Sequence, residues 1–301
     1  IVKNVNEVEE VASHVDFVFS AVDMSKDEIK KIEEDYAKTE TPVVSNNSAH
    51  RWTPDVPMVV PEINPEHFEV IESQKKRLGT TKGFIAVKPN CSIQSYAPVL
   101  TAWKEFEPYE VVATTYQAIS GAGKTFKDWP EMVGNIIPFI GGEEEKSEKE
   151  PLRLWGYVDD EKKQIVPAES PVITCQCIRV PVLNGHTAAV FVKFKKNPTK
   201  EQLIEALEKF SGVPSRSLGF QAHQSSSSDT VKRIIVLRSH LMWIMSMVWE
   251  SMSDVSERIQ SMTGSSSDSH TTQYVVQQVE QCFVQSFLRH RVTSQRSRFS
   301  N

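Results

Sequence analysis

Residues 15–22 (VDFVFSAV) form a short apolar, β-branched run, and Ser25 then opens a capping box with Glu28 ahead of Ile29, Ile32 and Tyr36 at helical spacing. That order predicts strand, loop and helix. Residues 42–44 give a second strand, residues 57–60 a short apolar segment between prolines, and residues 83–87 (GFIAV) a further buried strand. Strands alternating with helices imply a parallel sheet wound in βαβ units, where ligands bind beyond the carboxyl ends of the strands. The segments SAV, SNNSAHR and KPNCS occupy those ends.

After Cys91 the pattern changes. A helix over residues 92–106, kinked at Pro98, leads into strand-like runs at 111–116, 170–182 and 186–194, which read as a second, mixed α+β domain. Residues 199–210 predict an amphipathic helix with Leu203, Ile204, Leu207 and Phe210 as its apolar stripe and Gly212 as its stop. Beyond Pro214 the text turns Ser- and Gln-rich, without a clean period, around the run LMWIMSMVW, which reads as an aggregation liability. The predicted class is α/β, with a parallel-sheet domain over 1–90, an α+β domain over 91–214 and a tail over 215–301.

Composition narrows the function classes. A chain of 301 residues, 39% hydrophobic, can bury two cores, which favours a site in a cleft between domains. The net charge is −5 and the basic residues are scattered, so nucleic acid is not an expected partner. No apolar run approaches the roughly 20 residues of a membrane span, and the first residues lack the layout of a signal peptide. The cysteines at 91, 175, 177 and 282 form neither a disulfide framework nor a zinc knuckle, and a reducing cytoplasm fits them. Cys175 and Cys177 are expected on opposite faces of a shared strand. The chain opens on Ile1 within text of helix and strand, so its start is expected to be missing.

Cys91 stands after a buried strand and at the start of a helix, where unpaired N–H groups and the helix dipole favour a thiolate. For an arbitrary cysteine, a small buried hydrophobe is the commoner reading. The neighbouring letters reverse it: Lys88-Pro-Asn-Cys-Ser92 resembles the nucleophile motif of the aspartate-semialdehyde dehydrogenases. VFSAV (18–22), SNNSAHR (45–51), DVPMVVPEIN (55–64), TYQAISGAG (115–123), NIIPFIGGEEEK (135–146) and RVPVLNGH (179–186) follow in that family's order, across residues 15–214.

The resemblance implies conversion of L-aspartyl 4-phosphate, with NADPH, to aspartate 4-semialdehyde and phosphate through a thioester, in lysine, threonine and methionine biosynthesis. It assigns Cys91 as nucleophile, His186 as acid/base partner, a task imidazole suits near neutral pH, and Gln117 as the side chain orienting the thioester. Arg179 would grip the substrate carboxylate as a bidentate guanidinium, Glu143 its ammonium, with Glu144 and Glu145 open as alternatives, and Lys146 and Arg51 its phosphate. Asn90 would lie near the developing oxyanion. Ser20, Ala21, Ser92, Ser120, Gly121 and Gly123 would face the NADP cofactor, and no metal is expected. The assembly implied is a homodimer or homotetramer.

Two departures stand out. The family begins with a strand and a GxxGxVG loop that holds the cofactor pyrophosphate, and this chain carries no such segment, so its Rossmann-type domain reads as incomplete and its NADPH affinity as reduced. After Pro214 the family's ending is missing. Yet residues 215–223, 243–255 and 269–281, back-translated with suitable codons and read in the neighbouring frame, give QELGLPSA, DNEHGMGVNVGR and SHNTVRGAAGGA. A single-frame change near Pro214 would therefore leave an unselected, disordered tail. The alternatives are a catalytically inactive fragment of that enzyme, and an acylglutamyl-phosphate reductase. The latter carries glycine before the cysteine and an aromatic after it, where this chain has Asn90 and Ser92. A glyceraldehyde-phosphate dehydrogenase has a different cysteine context.

Overall fold

The computed structural model describes residues 3–210 and 271–277. In chain order its elements are α1 (Val8–Ala12), β1 (Val18–Ser20), α2 (Lys26–Lys38), β2 (Val43–Ser45), α3 (Ile71–Leu78), β3 (Ile85–Val87), α4 (Ala97–Ala102), β4 (Pro108–Gln117), α5 (Glu143–Leu154), β5 (Tyr157–Asp159), β6 (Gln164–Val166), β7 (Val172–Arg179), β8 (Thr187–Phe194), α6 (Lys200–Lys209) and β9 (Thr271–Gln277). Short 3-10 turns lie between them. The described residues fall into two compact units, 3–90 with 150–168, and 91–149 with 169–210 and 271–277. Residues 150–168, read from sequence with the second domain, group with the first.

The first unit is built on the parallel sheet β1-β2-β3. Val43, Val44, Ile85, Ala86 and Val87 are all buried, the continuous apolar run of strands covered on both faces. On the far side of β3, the 57–60 segment adds a parallel bridge, Met58 beside Val87. The Ser25–Glu28 capping box forms as the sequence predicts, the Ser25 Oγ accepting the Glu28 amide and the Glu28 carboxylate accepting the Ser25 amide. It starts α2 in the register that buries Ile29, Ile32 and Tyr36. Helix α3 was not evident in the sequence. Its buried Gln74 replaces a missing strand at the sheet, accepting from the Ile85 amide at 2.6 Å and donating to the Ile85 and Asp55 carbonyls at 2.9 Å each.

The second unit carries the sheet β7-β4-β8-β9, with β4 parallel to β7 and antiparallel to β8. The expected helix over 92–106 is instead three pieces: a 3-10 turn at Ser92–Ser95, α4, and a second 3-10 turn at Lys104–Phe106. Tyr96, at φ −131°, breaks the run, and Pro98 sits in the first turn of α4, the place a helix tolerates it. Helix α5 contains Pro151, which cannot donate to the carbonyl four residues back. Tyr96 takes that place, its hydroxyl donating to the Ser147 carbonyl at 2.7 Å. The capping box of Thr199 and Gln202 opens α6, where Leu203 is buried and its carbonyl accepts from the Trp103 indole at 3.0 Å.

Cys175 and Cys177 share the buried face of β7, their sulfurs 3.9 Å apart. The expectation of opposite faces is corrected here, because side chains two apart on a strand point the same way. The hydrogen bond to Cys177, and then burial, push the Cys175 thiol up. The Gly212 stop and the 215–301 tail lie outside the described residues, save β9, whose backbone pairs antiparallel with β8 from Thr187↔Gln277 to Lys193↔Thr271.

Gly83 sits so close to α2 that a Cβ there would lie 1.8 Å from the Ala37 carbonyl oxygen. Gly83→Ala is expected to lower stability by about 1–3 kcal/mol, the usual penalty of forced overpacking, read as a shifted midpoint in urea unfolding followed by circular dichroism.

Candidate active site

The paired ends of three strands in the second unit bring the chemical groups together. Gln117 ends β4 opposite Arg179, which ends β7, and Tyr116 pairs with Thr187, which begins β8. Ala118, Arg179 and His186 therefore meet at one end of the sheet. The Ala118 amide donates to His186 Nδ1 at 3.0 Å, and its carbonyl accepts from Arg179 Nη1 at 2.7 Å. His186 Nε2 then lies 3.3 Å from the Cys91 sulfur. The two residues that the sequence placed 95 positions apart are in hydrogen-bond contact.

The Ala118 bond also assigns the proton. With Nδ1 accepting, the neutral ring carries its hydrogen on Nε2, and that hydrogen points at sulfur. Accepting a proton from the thiol would need a bare Nε2 and an Nδ1–H, which would set two N–H groups against each other. The geometry favours His186 as a donor toward a sulfur anion.

Cys91 itself adopts helical angles, φ −63° and ψ −40°, ahead of a single 3-10 turn. One turn has little aligned dipole, so the helix contributes less than the sequence suggested. The positive charge near the sulfur comes from Arg179. Burial lowers the Arg179 pKa from the usual guanidinium range, and the nearby Glu143 and Cys91 oppose that shift.

Glu143 opens α5 and bonds Lys146 at 2.7 Å. Of the three consecutive glutamates, Glu143 faces Arg179 electrostatically, Glu144 accepts the Cys177 amide at 3.4 Å, and Glu145 pairs with Lys149 on the exposed side. Gln117 is buried, its amide donating to Thr115 Oγ1 at 3.3 Å. Ser92 is buried with its hydroxyl 3.3 Å from that of Ser147.

Ser120 and Gly121 lie in a 3-10 turn closed by Gly123 at φ +68°. A Cβ on Gly121 would stand 2.9 Å from His186 Cε1 and 3.0 Å from Arg179 Nη1. The absent side chain makes room for the imidazole and the guanidinium.

The remaining assigned residues belong to the first unit. Ser20 ends β1, its hydroxyl accepting from Asn47 Nδ2 at 2.9 Å and its carbonyl from the Asn46 amide at 2.8 Å. Ala21, next to it, is exposed. Arg51 is buried and donates from Nε to the Lys88 carbonyl, from Nη2 to the Asn46 carbonyl, and from Nη1 to Glu150 at 2.9 Å. The Asn90 amide donates to the other oxygen of Glu150 at 2.6 Å. Sequence reasoning missed Ala118 and Glu150. The first acts through its backbone, which leaves no mark in the letters, and the second sat in a charged run that reads as a solvated loop.

Comparison with known proteins follows the same division. Residues 1–71 match the family model described as semialdehyde dehydrogenase, NAD binding domain, and residues 98–226 match semialdehyde dehydrogenase, dimerisation domain. The aspartate-semialdehyde dehydrogenase of Methanothermobacter thermautotrophicus is 41% identical over 205 residues, covering 67% of this chain and 56% of the relative. That of Archaeoglobus fulgidus is 38% identical over 210 residues, covering 69% and 60%. The chain thus spans somewhat over half the length of these relatives. Among solved structures, aspartate semialdehyde dehydrogenase with NADP from Candida albicans superposes with a TM-score of 0.58 at 36% identity, over 67% of this chain and 57% of that one. A Vibrio cholerae structure, at 24% identity and a TM-score of 0.51 over 66% of this chain and 62% of its own, shares the fold.

If Gly121 is bare to admit the His186 ring, Gly121→Ala moves the ring off the sulfur while leaving the sheet intact. Iodoacetamide labelling, resolved by peptide mass, is expected to modify Cys91 ahead of the buried Cys175 and Cys177. In Gly121→Ala and in His186→Ala that labelling should slow by about tenfold, the loss of one hydrogen bond of about 1.4 kcal/mol to an ionised group. Unchanged labelling in both variants would overturn the assignment.

Proposed function

Because the chain belongs to the semialdehyde dehydrogenase family, we propose that its second unit carries the chemistry of an aspartate-semialdehyde dehydrogenase. The reaction is the NADPH-dependent reductive dephosphorylation of L-aspartyl 4-phosphate to L-aspartate 4-semialdehyde. The observation that carries this reading is the 3.3 Å approach of Cys91 sulfur to His186 Nε2, with His186 and Arg179 both bonded to the backbone of Ala118.

Cys91 attacks as the sulfur anion. A carbon–sulfur bond forms, the bond from acyl carbon to phosphate oxygen breaks, and phosphate leaves with the electron pair and gains its proton from solvent. His186 Nε2–H stabilises the sulfur before attack and the acyl oxygen as negative charge builds on it; removing such a donor costs about 10²–10³ in turnover. NADPH, when bound, supplies the hydride that turns the thioester into the aldehyde. Sulfur then departs as the anion with which it began, so the cycle needs no further proton from His186.

Arg179 gives one of its five N–H groups to Ala118, which leaves an edge for the substrate carboxylate. On the family resemblance, Glu143 would take the ammonium, Lys146 and Arg51 the phosphate, Gln117 the thioester and Asn90 the oxyanion. The residues present fit a nicotinamide dinucleotide in two respects. Ala21 is exposed at the carboxyl end of a parallel strand, where such ligands lie, and Gly123 presents backbone with nothing within 4 Å of where a Cβ would stand. Ser20, Ala21, Ser92, Ser120, Gly121 and Gly123 would hold the cofactor.

A second copy of the chain is the proposed partner, forming a homodimer. Val112, Tyr116, Val172 and Phe191 stand exposed on β4, β7 and β8, and Val112 pairs directly with Phe191, which makes one apolar sheet face. Sedimentation velocity should report a dimer for the protein and a monomer for Phe191→Glu; a monomeric protein would remove this assembly.

The activity is checked on the purified 301-residue protein by phosphate-dependent reduction of NADP with aspartate semialdehyde, followed at the nicotinamide absorbance. Cys91→Ala is expected to lower turnover by at least about 10³-fold, as loss of a nucleophile does. A folded protein that is inert in this assay would sink the reading.

A further inference from the structure

Glu150 is 1% exposed and has neither a solvent role nor a place among the groups assigned above. Its two oxygens bind different things. One accepts Arg51 Nη1 at 2.9 Å, and the other accepts the backbone amide of Asn90, the residue before Cys91, at 2.6 Å. Arg51 is only 5% exposed, and its Nε and Nη2 donate to the Lys88 and Asn46 carbonyls at 3.1 Å each. Among the described residues, three of its five N–H groups are thus committed to the loops that follow β2 and β3 and to α5, and two remain for an anion. A guanidinium buried this deeply needs a compensating charge, and Glu150 is the carboxylate that touches it.

We propose that Glu150 is a positioning residue for phosphate: it orients Arg51 toward the departing or attacking phosphate and, through the Asn90 amide, fixes the peptide leading into the nucleophile in the same register. One carboxylate thereby ties the anion-binding guanidinium to the chain segment that carries the sulfur. The inference rests on the reading of Arg51 as the phosphate arginine and adds the group that holds it. The carboxylate is required in both contacts, since an amide at this position has an acceptor for Arg51 but presents an N–H to the Asn90 N–H.

The phosphorylating direction tests this, because phosphate and the semialdehyde are then varied separately. In Glu150→Gln the KM for inorganic phosphate is expected to rise by about tenfold, the loss of one charge-assisted contact, with a fall in kcat from the disturbed Asn90 peptide, while the KM for the semialdehyde stays within threefold. Glu150→Asp, which keeps the charge but is one methylene short, should raise the phosphate KM less, and it serves alone if the glutamine variant does not fold. Arg51→Lys combined with Glu150→Gln should be no worse for phosphate than Arg51→Lys, as for two members of one unit. A merely structural role would lower kcat or the folded fraction and leave the phosphate KM in place. A phosphate KM within twofold of the parent, or an equal rise in the semialdehyde KM, overturns the proposal. If the parent protein shows no turnover, the functional reading fails instead. Calorimetric titration with inorganic phosphate then decides: tenfold weaker binding in Glu150→Gln upholds the role, and equal or absent binding in both proteins rejects it.

Discussion

The backbone of one residue determines what the candidate site can do. Ala118 donates its N–H to His186 and lends its carbonyl to Arg179, so the imidazole and the guanidinium are set by backbone that the β4–β7 and β4–β8 pairings already hold in place. Backbone anchored in a sheet cannot change rotamer, which makes it a firmer reference than a side chain. Gly121 completes the arrangement by having nothing that would displace either group. The consequence is chemical as well as geometric. An Nδ1 that accepts leaves Nε2–H facing sulfur, so the ring stabilises an anion without needing to carry charge itself.

How much of this was legible follows from where each signal resides. The parallel sheet, the Ser25–Glu28 box and the strands β4, β7 and β8 were readable because apolar residues alternate or cluster there in register with their burial. Cys91, His186 and Arg179 were readable through the ordered motifs around them. Helix α5 was not, since its inward face is Ser147, Glu150 and Leu154, mostly polar groups that break the hydrophobic period and that only their partners make tolerable. Gln74 in α3 hid in the same way, a buried amide bonded three times to backbone. Tyr96 splits the helix expected after Cys91, and its reason for doing so, the carbonyl that Pro151 leaves open, lies 51 residues further on.

The two buried arginines show how neutralisation can set what a cation will bind. Arg179 meets a carbonyl directly and has the Glu143 charge only in its surroundings, so burial works against its proton and much of its positive potential stays available. A singly charged carboxylate, weakly attractive by itself, is the anion that such a site needs help to hold. Arg51 is paired in contact with a carboxylate and offers hydrogen bonds from a nearly neutral pair. Phosphate carries more charge and must also leave once the carbon–oxygen bond is broken. On the proposed reading, the phosphate contact at Arg51 depends on where the guanidinium points more than on its net charge. Direct pairing with Glu150 sets that direction, and losing it costs the oriented hydrogen bonds rather than releasing them.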